Sequence, residues 1–291
     1  MSPASKIIFK TLKFINFRKI VEKQAFHVGI RQHKEFVPAD IKKRYHHVIR
    51  TVRNKTILTF ENKQKVTNTH VVFLHGGAYI FGAATGHWSF LKEIANNSFC
   101  RITAIDYPLA PEFTYRETID MVENAYVLLV KNYPDDNFIF LGDSAGGGLA
   151  LVMAQKLSAK NNTKLPVKNI LLSPWLDMSM SNPEIEKQRN SDLILTLEML
   201  ACAASKYSGG DSLSQPELSP LFGSFENLSP TLVFYGTEEL FYADIRKMKQ
   251  ITSMGSHQFI YREYAGMQHD WVLFPIPERE SVITEICHFM E

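Results

Sequence analysis

One serine lies in the pentapeptide Gly142-Asp143-Ser144-Ala145-Gly146, between an apolar run, Phe138 to Leu141, and a stretch of helical composition, Leu149 to Leu157. A G-x-S-x-G between strand and helix forces its serine into a tight, exposed turn. The residues two before and two after it must then lack a bulky Cβ. Gly142 and Gly146 meet that demand. A serine hydroxyl attacks a carbonyl only if a base takes its proton and hydrogen-bond donors stabilise the oxyanion. Base, acid and donors must come from elsewhere in the chain.

Ten histidines compete for the role of base. His269 stands out by position, in the loop Gly266 to Trp271 after the last apolar strand, whereas His257 precedes that strand and His288 falls in the terminal helical stretch. An acid is needed to orient the imidazole. The loop Gly236-Thr237-Glu238-Glu239-Leu240 follows the strand at 231–235 and offers two glutamates, between which spacing does not choose. Donors come from His75-Gly76-Gly77, which also follows a strand. There the N–H groups of Gly76 and Gly77 can join that of Ala145, the residue after the serine, as an oxyanion hole. A trypsin-like arrangement is excluded, because its serine lies in an all-β context and follows its histidine and aspartate in the chain.

The elements that must position these residues read as strand, loop and helix in alternation. Val71 to Leu74, Arg101 to Asp106, Phe138 to Leu141, Val167 to Leu172, Thr231 to Tyr235 and Gln258 to Tyr264 are short apolar strands. Helical stretches near 88–97 and 114–132 separate the first three. This pattern predicts an α/β fold whose mostly parallel sheet is covered on both faces, with the site at the carboxyl ends of the strands. His47 to Arg53 and Thr56 to Glu61 read as a hairpin across Asn54-Lys55 that opens the sheet. Residues 177–211 break the alternation with a helix at about 193–207, and residues 5–23 carry a helical stripe of Ile7, Ile8, Leu12, Ile15, Phe17 and Ile20. The expected organisation is an N-terminal cap over 1–46, core over 47–176, a cap insertion over 177–211, and core again over 212–291.

At 291 residues the chain is long enough for one large α/β domain, and no apolar run approaches the length of a membrane span. Three scattered cysteines, without a C-x-x-C pattern, point to reduced thiols and a cytoplasmic location; no metal-ligand cluster and no repeat is visible. Residues 1–53 hold thirteen Lys and Arg against three acids. The N-terminal segment is therefore either a lid with an apolar face on the core or a weak membrane-surface contact.

Together these residues resemble the hormone-sensitive-lipase-like family of α/β-hydrolases, over about residues 70 to 275. His75-Gly76-Gly77-Ala78 is similar to the family's HGGG, Gly142 to Gly147 to its GDSAGG, and Tyr107-Pro108-Leu109-Ala110-Pro111-Glu112 to its YRLAPE segment. The resemblance implies an α/β-hydrolase fold with a helical cap and nucleophile, acid and base in the order Ser144, Glu239, His269. It favours Glu239 over Glu238, because Gly236, Glu239, Leu240 and Asp244 fit the family's acid loop. Ala78 in place of a third glycine and glutamate in place of the commoner aspartate are departures. The implied activity is a serine carboxylesterase acting on short-to-medium acyl esters in an apolar pocket, with no cofactor. The partner expected is a small-molecule ester rather than nucleic acid, with a homodimer left open. An amide hydrolase or a membrane-surface lipase would use the same triad, and the family's hormone receptors, which bind ligand without turnover, lack the histidine kept here.

Overall fold

In the computed structural model, which describes residues 1–28, 36–160, 163–255 and 257–291, eight strands form one sheet. They are β1 His46–Val52, β2 Lys55–Glu61, β3 Thr69–Leu74, β4 Arg101–Ile105, β5 Asn137–Asp143, β6 Lys168–Leu172, β7 Thr231–Gly236 and β8 Phe259–Tyr264, in the order β1-β2-β4-β3-β5-β6-β7-β8. Only the hairpin strands run antiparallel to their neighbours; from β4 to β8 every pairing is parallel. The helices are α1 Pro3–Phe14, α2 Phe17–Phe26, α3 Ala39–Arg44, α4 Thr85–Ser98, α5 Tyr115–Asn132, α6 Ser144–Ser158, α7 Leu197–Ser208, α8 Tyr242–Ser253 and α9 Glu278–Met290.

Period-two alternation sends successive strand residues to opposite faces. Val72, Leu74, Phe138 and Phe140 enter one apolar layer with α5, α6, α7 and α8, while Val71, Phe73, Ile139 and Leu141 enter the other with α1, α4 and α9. Burial on both faces explains why these strands read as unbroken apolar runs rather than alternating ones. The hairpin turn is Arg53-Asn54, one residue earlier than expected, with Val52 paired to Lys55. Both turn residues have positive φ, 47° and 61°, as a two-residue turn between twisted strands requires.

The N-terminal region departs from the single helix expected over 5–23. Asn16, at φ 52°, breaks it into α1 and α2. The inner face of α1 is Ser5, Phe9 and Leu12; it docks at the C-terminal end of the chain, through the Phe9–Phe274 ring contact and hydrogen bonds of Ser2 and Ser5 to Glu278. The α2 helix instead packs against α7 of the 177–211 segment, where Lys206 donates to the Ala25 carbonyl (2.9 Å). Half of the apolar stripe is left outside: Ile7, Ile15 and Ile20 are exposed. Among the described residues, no helix is long and apolar enough to cross a membrane.

A buried polar network ties together the amino ends of the central strands, away from the end that carries the candidate site. His70 at the start of β3 donates from Nδ1 to Asp136 (2.9 Å) and accepts at Nε2 from Thr103 (2.7 Å), and Arg101 of β4 pairs with the same carboxylate. Burial holds His70 below its usual pKa, against the opposing pull of Asp136. Replacing Asp136 by Ala leaves the buried His70 Nδ1 without its partner and Arg101 with Glu61 alone. It should lower the unfolding free energy by about 3 kcal/mol in urea titrations while leaving the specific activity of the folded fraction unchanged.

Candidate functional site

β5 ends at Asp143 and α6 begins at Ser144 with no loop between them. Ser144 is held at φ 50°, a left-handed conformation unfavourable for a residue with a side chain. The turn closes because the backbones touch: a Cβ on Gly142 would collide with the Gly146 carbonyl, and one on Gly146 with the carbonyls of Leu74 and His75 at the end of β3. This fit places the start of α6 against β3. The Ala145 N–H lies in the first helical turn, where the preceding backbone supplies no helical acceptor.

His269 follows β8, and its Nε2 lies 2.9 Å from Ser144 Oγ across 125 residues of chain. The edge of the Phe241 ring meets the imidazole at 5.0 Å and 89°, fixing its plane. On the other side of the ring, Glu239 Oε2 stands 3.6 Å from Nδ1, with the glutamate fully buried. Among the described residues, neither its carboxylate oxygens nor His269 Nδ1 has a hydrogen-bond partner. A move of about half an ångström would bring the pair to hydrogen-bond length. Burial pushes the Glu239 carboxyl up to about 7, and a proton on His269 opposes that rise, so carboxylate and imidazolium are favoured together. Glu238 is not the neighbour of the ring; its N–H bonds the Met267 carbonyl.

Gly76 does not take the place expected for it. Its N–H donates to Asp143 Oδ1 (3.0 Å), and a Cβ there would strike that carboxylate. The second Asp143 oxygen accepts from His87 Nε2 on α4 (3.0 Å). The residue before the serine thus ties the glycine loop and α4 to the elbow, a role the pentapeptide pattern does not reveal. Gly77 and Ala78 follow in left-handed conformations, φ 119° and 52°, and among the described residues neither N–H has a hydrogen-bond partner. The Tyr107-to-Glu112 segment braces this loop: Tyr107 stacks on His75 (4.3 Å, 12°) and donates to its carbonyl, and Ala110 N–H donates to the Tyr79 carbonyl.

Three further residues escaped the reading of the sequence. Asp192, in the 177–211 segment, accepts from the N–H groups of Ile194 and Leu195 through one oxygen (both 2.8 Å) and from Leu240 of the acid loop through the other (2.9 Å). Gln268, beside the base, accepts from Leu193 N–H (2.8 Å). The segment is therefore clamped to both the acid and the base loop. Asp270 lies at φ 48° and places Oδ2 3.1 Å from His269 Nε2, on the same side as the serine. Its adjacency to the histidine was visible in the sequence, but a neighbour in sequence normally points away, and only the left-handed turn brings it back.

A family model described as the alpha/beta hydrolase fold matches residues 71–273, the span that carries every residue of the site. The chain belongs to this family. Among relatives of this hydrolase, an esterase of Acinetobacter venetianus is 29% identical over 83% of this chain and 81% of its own. An acetyl-hydrolase of Streptomyces hygroscopicus is 27% identical over 69% and 67%. The crystal structure of an esterase from the bacterial hormone-sensitive lipase family superposes with a TM-score of 0.83 over 100% of this chain and 98% of that one, at 24% identity, a likeness of fold. The motifs that resemble the hormone-sensitive-lipase-like family, from His75 to Ala78, Tyr107 to Glu112 and Gly142 to Gly147, all fall inside the matched span.

Burial by itself would lower the pKa of His269, but the facing carboxylates, Asp270 above all and then Glu239, raise it well above the usual histidine value. Asp270 is itself raised by burial and by Asp143, and held down by His269. A base works only when unprotonated, so kcat/KM on a soluble ester should rise with pH through the His269 pKa, with its acid limb above the ordinary histidine range. Asp270→Asn removes a charge that favours the imidazolium and should move that limb to lower pH while turnover persists. A limb that stays in place in the pH–rate profile would show that the Asp270 charge does not reach the base.

Proposed function

We propose that this chain is a serine carboxylesterase that hydrolyses short-to-medium acyl esters through a Ser144, His269 and Glu239 triad. The coarse assignment, a carboxylic ester hydrolase of the α/β-hydrolase type, is supported by the family and by relatives whose names are esterase and acetyl-hydrolase. The observation that carries the finer one is the 2.9 Å approach of His269 Nε2 to the hydroxyl of a serine held in a strained turn. His269 takes the Ser144 proton as Oγ attacks the ester carbonyl, and Glu239 faces the imidazolium that forms. With the Gly76 N–H committed to Asp143, the N–H groups of Gly77, Ala78 and Ala145 are the ones that stabilise the oxyanion. His269 then returns the proton to the departing alcohol. Water, activated by the same histidine, cleaves the acyl-enzyme and restores the serine.

Closely packed aromatic rings around the elbow favour a small apolar acyl group. Tyr79 stacks on Tyr207 of α7 (3.9 Å, 9°), and Trp175 stacks on Phe241 (5.8 Å, 13°). Ser144 and His269 are both buried, which keeps the developing charge away from bulk water and strengthens each donor.

A fluorophosphonate probe should label Ser144 in the folded protein, and p-nitrophenyl butyrate should be turned over. Ser144→Ala should lose about 10⁶-fold in kcat and Glu239→Gln about 10⁴-fold, as residues in these roles do. Absence of an adduct in folded protein would refute the triad. Faster cleavage of a matched amide than of the ester would reassign the substrate class while keeping the mechanism.

A further inference from the structure

We propose that the outer face of α1 and α2 is a docking surface for an anionic lipid membrane. The two helices are held from within, α1 by the Phe9–Phe274 contact and Glu278, α2 by α7, so their outer faces do not serve to attach them to the core. Those faces are nevertheless apolar. Phe14 is 91% exposed and Ile7 66%, and these two stand seven residues apart on one side of α1. Ile15, Ile20 and Phe26 are exposed at and beyond the helix junction. Ile15 and Ile20, with Lys19 and Lys23, line an open groove of about 590 Å³.

The charge carried by the two helices is predominantly positive. Lys6, Lys10, Lys13, Lys19 and Lys23 are all exposed, and the one acid in residues 1–28, Glu22, is already paired with Lys19 (2.7 Å). Exposed phenylalanine and isoleucine interleaved with lysine suit the boundary between lipid headgroups and acyl chains. The rings and branched chains enter the acyl region, and the long lysine stems let each ammonium reach a phosphate. A second copy of this chain fits the face poorly, because a twofold contact would set two clusters of lysines against one another. Since α2 rests on α7, whose Tyr207 stacks on Tyr79, a bilayer bound here is separated from the 177–211 segment by one helix. The bearing on substrate rests on the esterase reading above, but the docking itself does not.

The test is co-sedimentation of the whole protein with extruded vesicles, either of phosphatidylcholine alone or of equal parts phosphatidylcholine and phosphatidylglycerol. Binding is expected to the anionic vesicles only, and to be released at high ionic strength. Each lysine near such a surface contributes about fivefold in affinity, so the triple variant Lys10→Glu, Lys13→Glu, Lys23→Glu should bind at least ~100-fold more weakly. Phe14→Ser should weaken binding at unchanged charge. Near-UV circular dichroism checks that both variants remain folded, and probe labelling of Ser144, which the docking does not require, reports separately on the triad. Equal sedimentation with the two vesicle types, or none with either, would overturn the proposal. So would a dimer in sedimentation velocity that Phe14→Ser converts to monomer, which would assign the face to a second copy.

Discussion

Ser144 occupies a backbone conformation that costs a residue with a Cβ about 1 kcal/mol or more, and it stays there because its surroundings leave no alternative. On its amino side β5 is paired on both edges, to β3 and β6. On its carboxyl side α6 starts at once, and Gly146 sits so close to the end of β3 that no side chain fits between them. Relaxing the serine would mean drawing the helix away from the sheet. The strain is therefore borne by the packing of one strand–helix unit, and the hydroxyl is presented at the carboxyl end of the sheet without a loop that could move it.

The candidate base is set by converging loops rather than by its own. His269 follows the last strand, but its ring is held by the Phe241 edge, faced by Glu239 after β7, and met on the serine side by Asp270. The acid and base loops are in turn bonded to the 177–211 segment through Asp192 and Gln268. That segment has a mechanical part in placing the two loops. Two carboxylates about one imidazole also make its protonation a property of the group and not of the histidine alone.

Periodicity and motif spacing made most of the framework legible. Apolar runs buried on both faces marked the parallel strands, the glycine pair marked the elbow, and the position of His269 after the last strand singled it out among ten. The Glu238/Glu239 choice needed the resemblance. What escaped has a common physical cause. Asp143, Asp192, Gln268 and Asp270 act through side-chain contacts made across distant segments or by an unusual backbone angle, and neither leaves a local pattern. Gly76 was misplaced for the same reason, since nothing in His-Gly-Gly says that an aspartate 67 residues later takes its N–H.

The N-terminal stripe shows the opposite case, a pattern that was real but assigned to one face. Periodicity counts apolar residues along a helix; it does not know where the helix bends or how much of its surface the core accepts. Asn16 turns the chain, the core takes Phe9 and Leu12, and Ile7, Phe14 and Ile20 are left outside. By itself, then, the sequence determined the order and type of the elements and the chemical groups at the strand ends, because these follow from local period and residue type. Only the tertiary structure decided which donors are free, which carboxylates face the imidazole and which apolar residues meet solvent, because each depends on which segments the folded chain brings within a few ångströms of one another.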